Sequence, residues 1–159
     1  MKELILETRI KVCEPAELDE THKKLYEMAF EAAKSAYAPY SGFHVGAAAL
    51  LDNGEVVVGS NQENAAYPSG LCAERTTLFY AGAHYPESAV KILAIAAAKG
   101  DDKVEFVAPC GACRQVMLEV EQRFGKKMEV MLCGVDRVHI SPSAESLLPL
   151  CFGKADLEC

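Results

Sequence analysis

The sequence predicts an α/β fold in which one mixed sheet is covered by helices on both faces. Hydrophobic periodicity switches between helix and strand in the order helix, hairpin, helix, strand, helix, strand, short helix. The segment 91–99 is almost continuously apolar, which is typical of a strand buried on both faces. The chain has 159 residues, half of them hydrophobic and a quarter charged, so we expect residues 1–159 to form one domain.

The N-terminal part of the chain predicts a helix followed by a hairpin. Residues 15–36 carry apolar side chains three, four and seven positions apart, and Pro15 can occupy the first turn of a helix. Strands are predicted at 43–51 and 55–63. The Asp-Asn-Gly sequence at 52–54 joins them and is a strong hairpin signal.

The rest of the chain alternates between helices and strands. The last predicted helix is short and begins at a capping serine. The step from one buried strand to the next through a helix has the length of a right-handed crossover. The predicted elements are helix 72–83, strand 91–99, helix 110–124, strand 128–135 and short helix 141–150.

Composition and charge narrow the class of partner and the compartment. The net charge of −7 and the pI of about 5.1 disfavour a protein that follows a phosphate backbone and favour a small neutral or cationic partner. Charges interrupt the apolar runs at the N-terminus, and the longest apolar stretch, 92–98, is too short to span a bilayer. A cytoplasmic protein is therefore expected, in which the seven cysteines serve metal binding, catalysis or burial rather than disulfides.

Three of those cysteines stand at predicted helix starts. Cys110 and Cys113 form a CxxC pair, which taken alone fits a redox pair, half of a zinc site or chance. Cys72 opens the other helix. A helix N-terminus favours the thiolate, the form that binds metal. Three thiolates are one ligand short of a tetrahedron, as in a catalytic zinc site, although Cys133 is a possible fourth ligand and iron a possible metal.

Three charged residues close to the cysteines in the sequence are further candidates for a role at the metal site. Glu74 follows Cys72 by two positions, so a capping Cys72 and a first-turn Glu74 can both face the metal and its water. The alternative is a helix N-terminal glutamate that favours the helix dipole. Arg75 and Arg114 directly follow the cysteine motifs and could donate hydrogen bonds to sulfur, or could be ordinary surface arginines.

Several motifs together resemble the cytidine deaminases of the small, homotetrameric, three-cysteine type. These are CAER and PCGACRQVM, with SAYAPYSGFHVGAAAL, NQENAAYPSGLCAERT and LLPLCFG, and the similarity covers about residues 36–152. The resemblance implies a three-layer α/β/α fold with a mixed five-stranded sheet, and one Zn²⁺ per subunit on the three cysteines. It also implies hydrolytic deamination of cytidine and deoxycytidine to uridine and deoxyuridine with release of ammonia, as in pyrimidine salvage, with Glu74 as the catalytic proton carrier.

The resemblance also implies a set of substrate-binding residues and a homotetramer with shared active sites. Asn61 and Glu63 match residues that hold the ribose 3′-hydroxyl, and Phe43 matches an aromatic lining of the nucleoside pocket. The N–H of Ala73 is expected on the base carbonyl oxygen. Tyr67 matches an interface tyrosine, and Phe152 an aromatic that stacks on the base in a neighbouring subunit. The carbonyl of Ala108, where the family usually has Ser or Thr, is expected near the leaving amine.

Two other functions stay open at this stage. One is deamination of a different cytosine compound, such as a nucleoside antibiotic. The other is a non-catalytic zinc module with a closed metal site and no need for Glu74. The histidines lack the spacing of metal ligands and are expected on the surface or in loops: His22, His44, His84 and His139. The remaining cysteines are expected as buried or free thiols: Cys13, Cys133, Cys151 and Cys159.

Overall fold

The computed structural model describes residues 1–100 and 102–157, which form one mixed sheet between helices. Five strands of four to ten residues carry the sheet, and two strands of three and two residues extend it. The prediction of a mixed sheet in an α/β fold is confirmed. The elements are β1 Lys11–Cys13, α1 Glu20–Ala33, β2 Phe43–Leu51, β3 Val56–Ser60, α2 Ala73–His84, β4 Val90–Lys99, β5 Asp102–Lys103, α3 Gly111–Phe124, β6 Glu129–Cys133 and β7 Val138–Ser141.

The strand order is β1-β7-β6-β4-β2-β3, with β5 paired to β4. The pair β4–β6 is parallel and is connected through α3, as the predicted crossover requires. The other strand pairs are antiparallel, including the hairpin β2–β3. Strand β4 lies between β2 and β6, and its residues Leu93–Ala97 are buried, which confirms the expectation of burial on both faces.

Helix α1 covers one face of the sheet, and α2 and α3 cover the other. Leu25 and Phe30 of α1 pack on Ala48, Ala94 and other sheet residues of the same face. On the opposite face a second cluster joins Leu78 of α2 to Met117 of α3. Helix α1 approaches β2 so closely at Gly46 that an added Cβ would lie 2.1 Å from the carbonyl oxygen of Ala29.

Two predicted helices differ from the structure. Residues 15–36 begin as a single 3-10 turn, Pro15–Glu17; Leu18 is extended, and α1 begins only after Asp19, whose carboxylate caps the helix by accepting the N–H of His22 at 3.0 Å. The helix predicted at 141–150 is wrong. Its first residue ends strand β7, and only the 3-10 turn Glu145–Leu147 follows.

The buried carboxylate of Glu121 explains the second difference. It accepts the N–H groups of Met128 at 2.7 Å, Ala144 at 2.9 Å and Glu145 at 3.2 Å. These bonds hold the start of the segment against α3, and Leu148, which precedes Pro149, leaves the helical region and ends the turn. None of the helices in the described part of the chain has the length and apolar character that a membrane span requires.

Candidate active site

A cavity of about 630 Å³ opens on the side of the sheet that α2 and α3 cover. The start of β2, the segment that follows β3, the N-terminus of α2 and the loop before α3 form its walls. Most of the residues selected from the sequence meet in this one place. The lining residues are Tyr40, Ser41, Phe43, Val45, Asn61, Gln62, Glu63, Asn64, Tyr67, Gly70, Leu71, Cys72, Glu74, Arg75, Val107, Ala108 and Cys110.

The three predicted cysteines converge beside the cavity, which Cys72 and Cys110 line. Cys72 is the N-cap of α2, Cys110 is the N-cap of α3, and the fully buried Cys113 lies in the first turn of α3. The Sγ of Cys110 lies 3.9 Å from that of Cys72 and 3.4 Å from that of Cys113. A tetrahedral zinc with Zn–S bonds of about 2.3 Å places its sulfurs about 3.8 Å apart, so the donor set fits zinc.

The electrostatics of the cluster favour the thiolate at Cys72, whereas hydrogen bonding to Cys72 and burial raise the pKa of Cys113. The hydrogen bond with Cys113, aided by the Arg75 guanidinium and by Cys110, lowers the pKa of Cys72 to about 5 against the opposing effect of burial. Nη2 of Arg75 lies 3.9 Å from the Sγ of Cys72 and also donates to the carbonyl of Gly70 at 3.5 Å. Arg75 therefore has the contact with sulfur that the sequence suggested.

Two expectations about ligands are corrected. Cys133 is not a fourth ligand: it lies buried in β6 on the α1 face, and burial raises its pKa to about 12. Among residues 1–100 and 102–157, the cysteine triplet is the one group of potential ligands close enough to share a metal. Arg114 makes no contact with sulfur; its Nε donates to the carbonyl of Pro109 at 2.9 Å and its Nη1 to that of Leu147 at 2.8 Å.

Glu74 combines burial with access to the cavity. It lies in the first turn of α2, only 4% of its surface is exposed, and its side chain lines the cavity next to Cys72 and Cys110. Burial raises the pKa of its carboxyl group. Ala73, fully buried beside it, is the first residue of α2, so its N–H belongs to the helix donors that have no intrahelical acceptor.

Another part of the cavity wall is formed around Asn61 and Glu63, whose polar side chains make hydrogen bonds to backbone groups. Asn61 accepts the N–H of Val45 at 2.7 Å and donates to the carbonyl of Phe43 at 2.9 Å. Glu63 accepts the N–H of Tyr40 at 2.9 Å, the N–H of Ser41 at 3.3 Å and the Ser41 hydroxyl. Hydrogen bonds from the Ser41 hydroxyl and from the backbone lower the pKa of the Glu63 carboxyl.

The predicted aromatic residues fall into two groups. Phe43 and Tyr67 line the cavity, and the Tyr67 ring packs edge-to-face on Tyr40 with centroids 6.1 Å apart. Phe152 does not line the cavity of its own chain; it is 58% exposed, and its carbonyl accepts a hydrogen bond from Nε2 of Gln115 at 2.8 Å.

Sequence reasoning missed Tyr40 and Ser41 as lining residues. Both belong to the segment 37–42, which follows the predicted helix 15–36 and precedes the predicted strand 43–51. Its Pro-Tyr-Ser-Gly composition is a turn signal, and a turn directly before a strand exposes N–H groups that a carboxylate can accept. That signal could have paired the segment with Glu63.

Three sulfurs, a buried carboxylate and a shared cavity place the chain among zinc-dependent hydrolases. Comparison with known proteins makes this specific. The family model described as "Cytidine and deoxycytidylate deaminase zinc-binding region" matches residues 19–126, more than half of the chain. The chain belongs to the cytidine and deoxycytidylate deaminase family, whose zinc-binding region includes the three cysteines.

Individual relatives agree with the family. The cytidine deaminase of Halalkalibacterium halodurans is 49% identical over 96 residues, which are 60% of this chain and 69% of that protein. That of Sporosarcina psychrophila is 38% identical over 135 residues, 85% of this chain and 93% of that protein. A crystal structure of cytidine deaminase from Burkholderia pseudomallei matches with a TM-score of 0.69 and 42% identity, covering 82% of this chain and 98% of that one.

Proposed function

We propose that this chain catalyses the zinc-dependent hydrolytic deamination of cytidine and deoxycytidine to uridine and deoxyuridine, with release of ammonia. The observation that carries the proposal is the position of Glu74. Its carboxyl group is buried, yet it faces the same cavity as Cys72 and Cys110. A purely structural zinc site has no need of a carboxyl group directed into a cavity that is large enough for a nucleoside.

The residues present divide the reaction between metal and protein. Cys72, Cys110 and Cys113 would hold zinc, which would supply activated water at neutral pH. Glu74 takes a proton from that water at its carboxylate oxygen and delivers it to the ring nitrogen N3 as the water oxygen bonds to C4. It then takes the remaining proton from the new C4 hydroxyl and delivers it to the exocyclic amine, so the C4–N bond breaks, the C4 carbonyl forms and ammonia leaves. One water is consumed, and the carboxylate is restored.

Substrate recognition is assigned to the remaining lining residues. We assign the ribose 3′-hydroxyl to Asn61 and Glu63, because both residues line the same cavity as Cys72 and Cys110. We assign the base carbonyl to the N–H of Ala73, a first-turn donor of α2 without an intrahelical acceptor, and an apolar wall to Phe43, which lines the cavity. A donor and an acceptor directed at one hydroxyl reject substrates without it more strongly than an apolar wall does.

The proposal extends to a homotetramer with shared active sites that acts in cytoplasmic pyrimidine salvage. Phe152 and Tyr67 support the assembly, since the two residues are 58% and 76% exposed and Tyr67 lines the cavity. Large exposed aromatic side chains are enriched in protein interfaces. Molar mass by light scattering tests the assembly. Mixing a Phe152→Ala chain with a Glu74→Gln chain tests the sharing, because shared sites restore activity to the mixture.

The central experiment follows the loss of cytidine absorbance with the zinc-loaded chain, beside Glu74→Gln and the control Glu55→Gln. Glu55 is exposed in the turn between β2 and β3, so its variant is expected to match the wild type. Glu74→Gln is nearly isosteric and is expected to keep its zinc while turnover falls by at least about a hundredfold. If it keeps full activity, the assignment of Glu74 is wrong.

The same assay separates the two alternatives. A chain that holds zinc, ignores cytidine and deoxycytidine, and deaminates another cytosine nucleoside belongs to the alternative substrate class. A chain that holds zinc but deaminates none of these nucleosides is a non-catalytic zinc module. Metal analysis of the protein as purified distinguishes zinc from iron.

A further inference from the structure

One wall of the cavity is a loop without regular secondary structure, whose Val107 packs against the core cluster of the sheet, α2 and α3. Residues 104–109 connect β5 to Cys110, the N-cap of α3, and two of them, Val107 and Ala108, line the cavity. Among the described residues, the backbone groups of residues 105–108 make no hydrogen bond within the protein. Something other than backbone pairing must therefore fix the position of this wall.

Apart from the packing of Val107 and the hydrogen bond from Nε of Arg114 to the Pro109 carbonyl, the contacts at this loop are made by residues that do not line the cavity. Nζ of Lys103 stands 4.3 Å from the centroid of the Phe30 ring of α1, a cation–π contact. The N–H of Val104 donates to the carbonyl of Ala97 at 2.9 Å. Glu105 then packs against Gly134 so closely that a Cβ at Gly134 would lie 1.7 Å from the Glu105 carbonyl oxygen.

The last of these contacts lies directly before the wall. The rings of Phe106 and His139 meet edge-to-face, with centroids 4.8 Å apart and an interplanar angle of 69°. His139 projects from β7, and its Nδ1 is buried without a hydrogen-bond partner in the described structure. Its position is therefore not explained by hydrogen bonding at Nδ1, whereas the ring contact with Phe106 is well formed.

We propose that the contact between Phe106 and His139 positions the cavity wall Val107–Ala108 and thereby sets nucleoside affinity. The inference rests on the proposed function, since it assigns these two as positioning residues for that reaction. Neither lines the cavity, and neither belongs to the cysteine cluster. The packing of Val107 and the hydrogen bond at Pro109 hold the end of the loop next to α3, and the ring contact of Phe106 anchors the residue directly before the wall. Loss of that ring contact is therefore expected to loosen the wall.

The test uses the zinc-loaded full chain and four substitutions, Phe106→Ala, Phe106→Tyr, His139→Ala and His139→Phe, with Val135→Ala as control. Val135 is an exposed apolar residue in the turn between β6 and β7. The two alanine variants are expected to raise KM for cytidine and Kd for uridine about three- to tenfold, with kcat and zinc content nearly unchanged. The two aromatic variants and the control are expected to stay near the wild type.

Hydrogen exchange provides a readout that does not need turnover. In Phe106→Ala and His139→Ala, peptides covering residues 104–109 are expected to exchange faster, while peptides of α2 keep their protection. Unchanged exchange together with unchanged KM and Kd overturns the proposal, as does a loss of zinc that accompanies the change in KM. If the wild type does not deaminate cytidine, the proposed function fails, and the exchange data alone decide whether Phe106 holds the loop.

Discussion

The two ends of the cavity are built in different ways. At the metal end, Cys72, Glu74, Cys110 and Cys113 stand in the first turns of α2 and α3, so helix geometry sets their positions. At the loop end, Asn61 and Glu63 follow β3, and they hold the start of β2 through side chain-to-backbone hydrogen bonds. The metal end is encoded by short motifs, and the loop end by contacts between distant parts of the chain.

Substitutions at the two ends of the cavity are therefore expected to have different effects. A substitution at the metal end is expected to remove the chemistry, because the ligands and the proton carrier have fixed roles. A substitution at the loop end is expected to weaken binding, because Asn61 and Glu63 hold the cavity wall as well as facing the substrate. The predictions below test this division in order of decreasing effect.

The largest effect is expected for Cys113→Ser, at the buried corner of the metal end. Loss of one thiolate weakens zinc binding, so zinc content falls well below one per chain and turnover drops by more than about a thousandfold. Metal analysis and the cytidine assay measure both. Cys133→Ala is the matched control, another buried cysteine, and is expected to lose stability but keep zinc and activity.

A second prediction addresses the loop end. Asn61→Ala removes two hydrogen bonds to the backbone of β2, so kcat/KM for cytidine is expected to fall about thirty- to a hundredfold, largely through KM, with zinc unchanged. Asn53→Ala is the control, because Asn53 makes one backbone bond in the turn between β2 and β3, away from the cavity. A loss of zinc in Asn61→Ala would contradict the separation of the two ends.

How well each end could be predicted follows from the same difference. Cys72, Glu74 and the CxxC pair lie within short stretches, and helix starts were correctly expected for both motifs, so the metal end followed from sequence. The bracing by Tyr40 and Ser41 did not, because it joins residues 22 or 23 positions apart. The role of Arg114 was left open for a similar reason: its partner Leu147 lies 33 positions away.

The secondary structure shows the same limit. The helices that open at Cys72 and Cys110 and the buried strands have strong local signals, and they were found. The short strands β1 and β7 depend on pairing with each other and with β6, and the segment 141–150 depends on Glu121, so local capping signals misled there. That residues 1–159 form a single domain stays a prediction.

A third, smaller effect is expected for Arg75→Gln, which sharpens the account of the metal end. The guanidinium contacts the Sγ of Cys72 and offsets the negative charge of three thiolates, so its loss is expected to lower zinc affinity about tenfold. Competition with a chromogenic chelator measures the affinity. Arg123→Gln serves as the control, because among the hydrogen bonds described Arg123 donates only to the carbonyl of Pro86. An equal loss of zinc affinity in Arg123→Gln would rule out a specific effect of Arg75.

The smallest effect is expected for His22 of α1, which lies at neither end of the cavity. Burial opposes protonation of His22, but hydrogen bonds to Asp19 at 2.8 Å and Glu129 at 2.6 Å raise its pKa overall. The folded state therefore binds the proton more tightly than the unfolded state does. The resulting stability is fully present below the unfolded pKa of about 6.5 and is lost as pH rises through the higher folded pKa.

His22→Gln is accordingly expected to flatten part of the pH dependence of stability. Urea unfolding of the zinc-loaded chain at pH 5.5 and pH 8.5 should show the wild type losing about 1 kcal/mol or less relative to the variant, since Asp19 is largely exposed. His84→Gln, at an exposed histidine on α2, controls for the loss of a histidine elsewhere. A variant that instead changes KM or zinc content would show that the α1 face is coupled to the cavity, and the division into two independent ends would have to be abandoned.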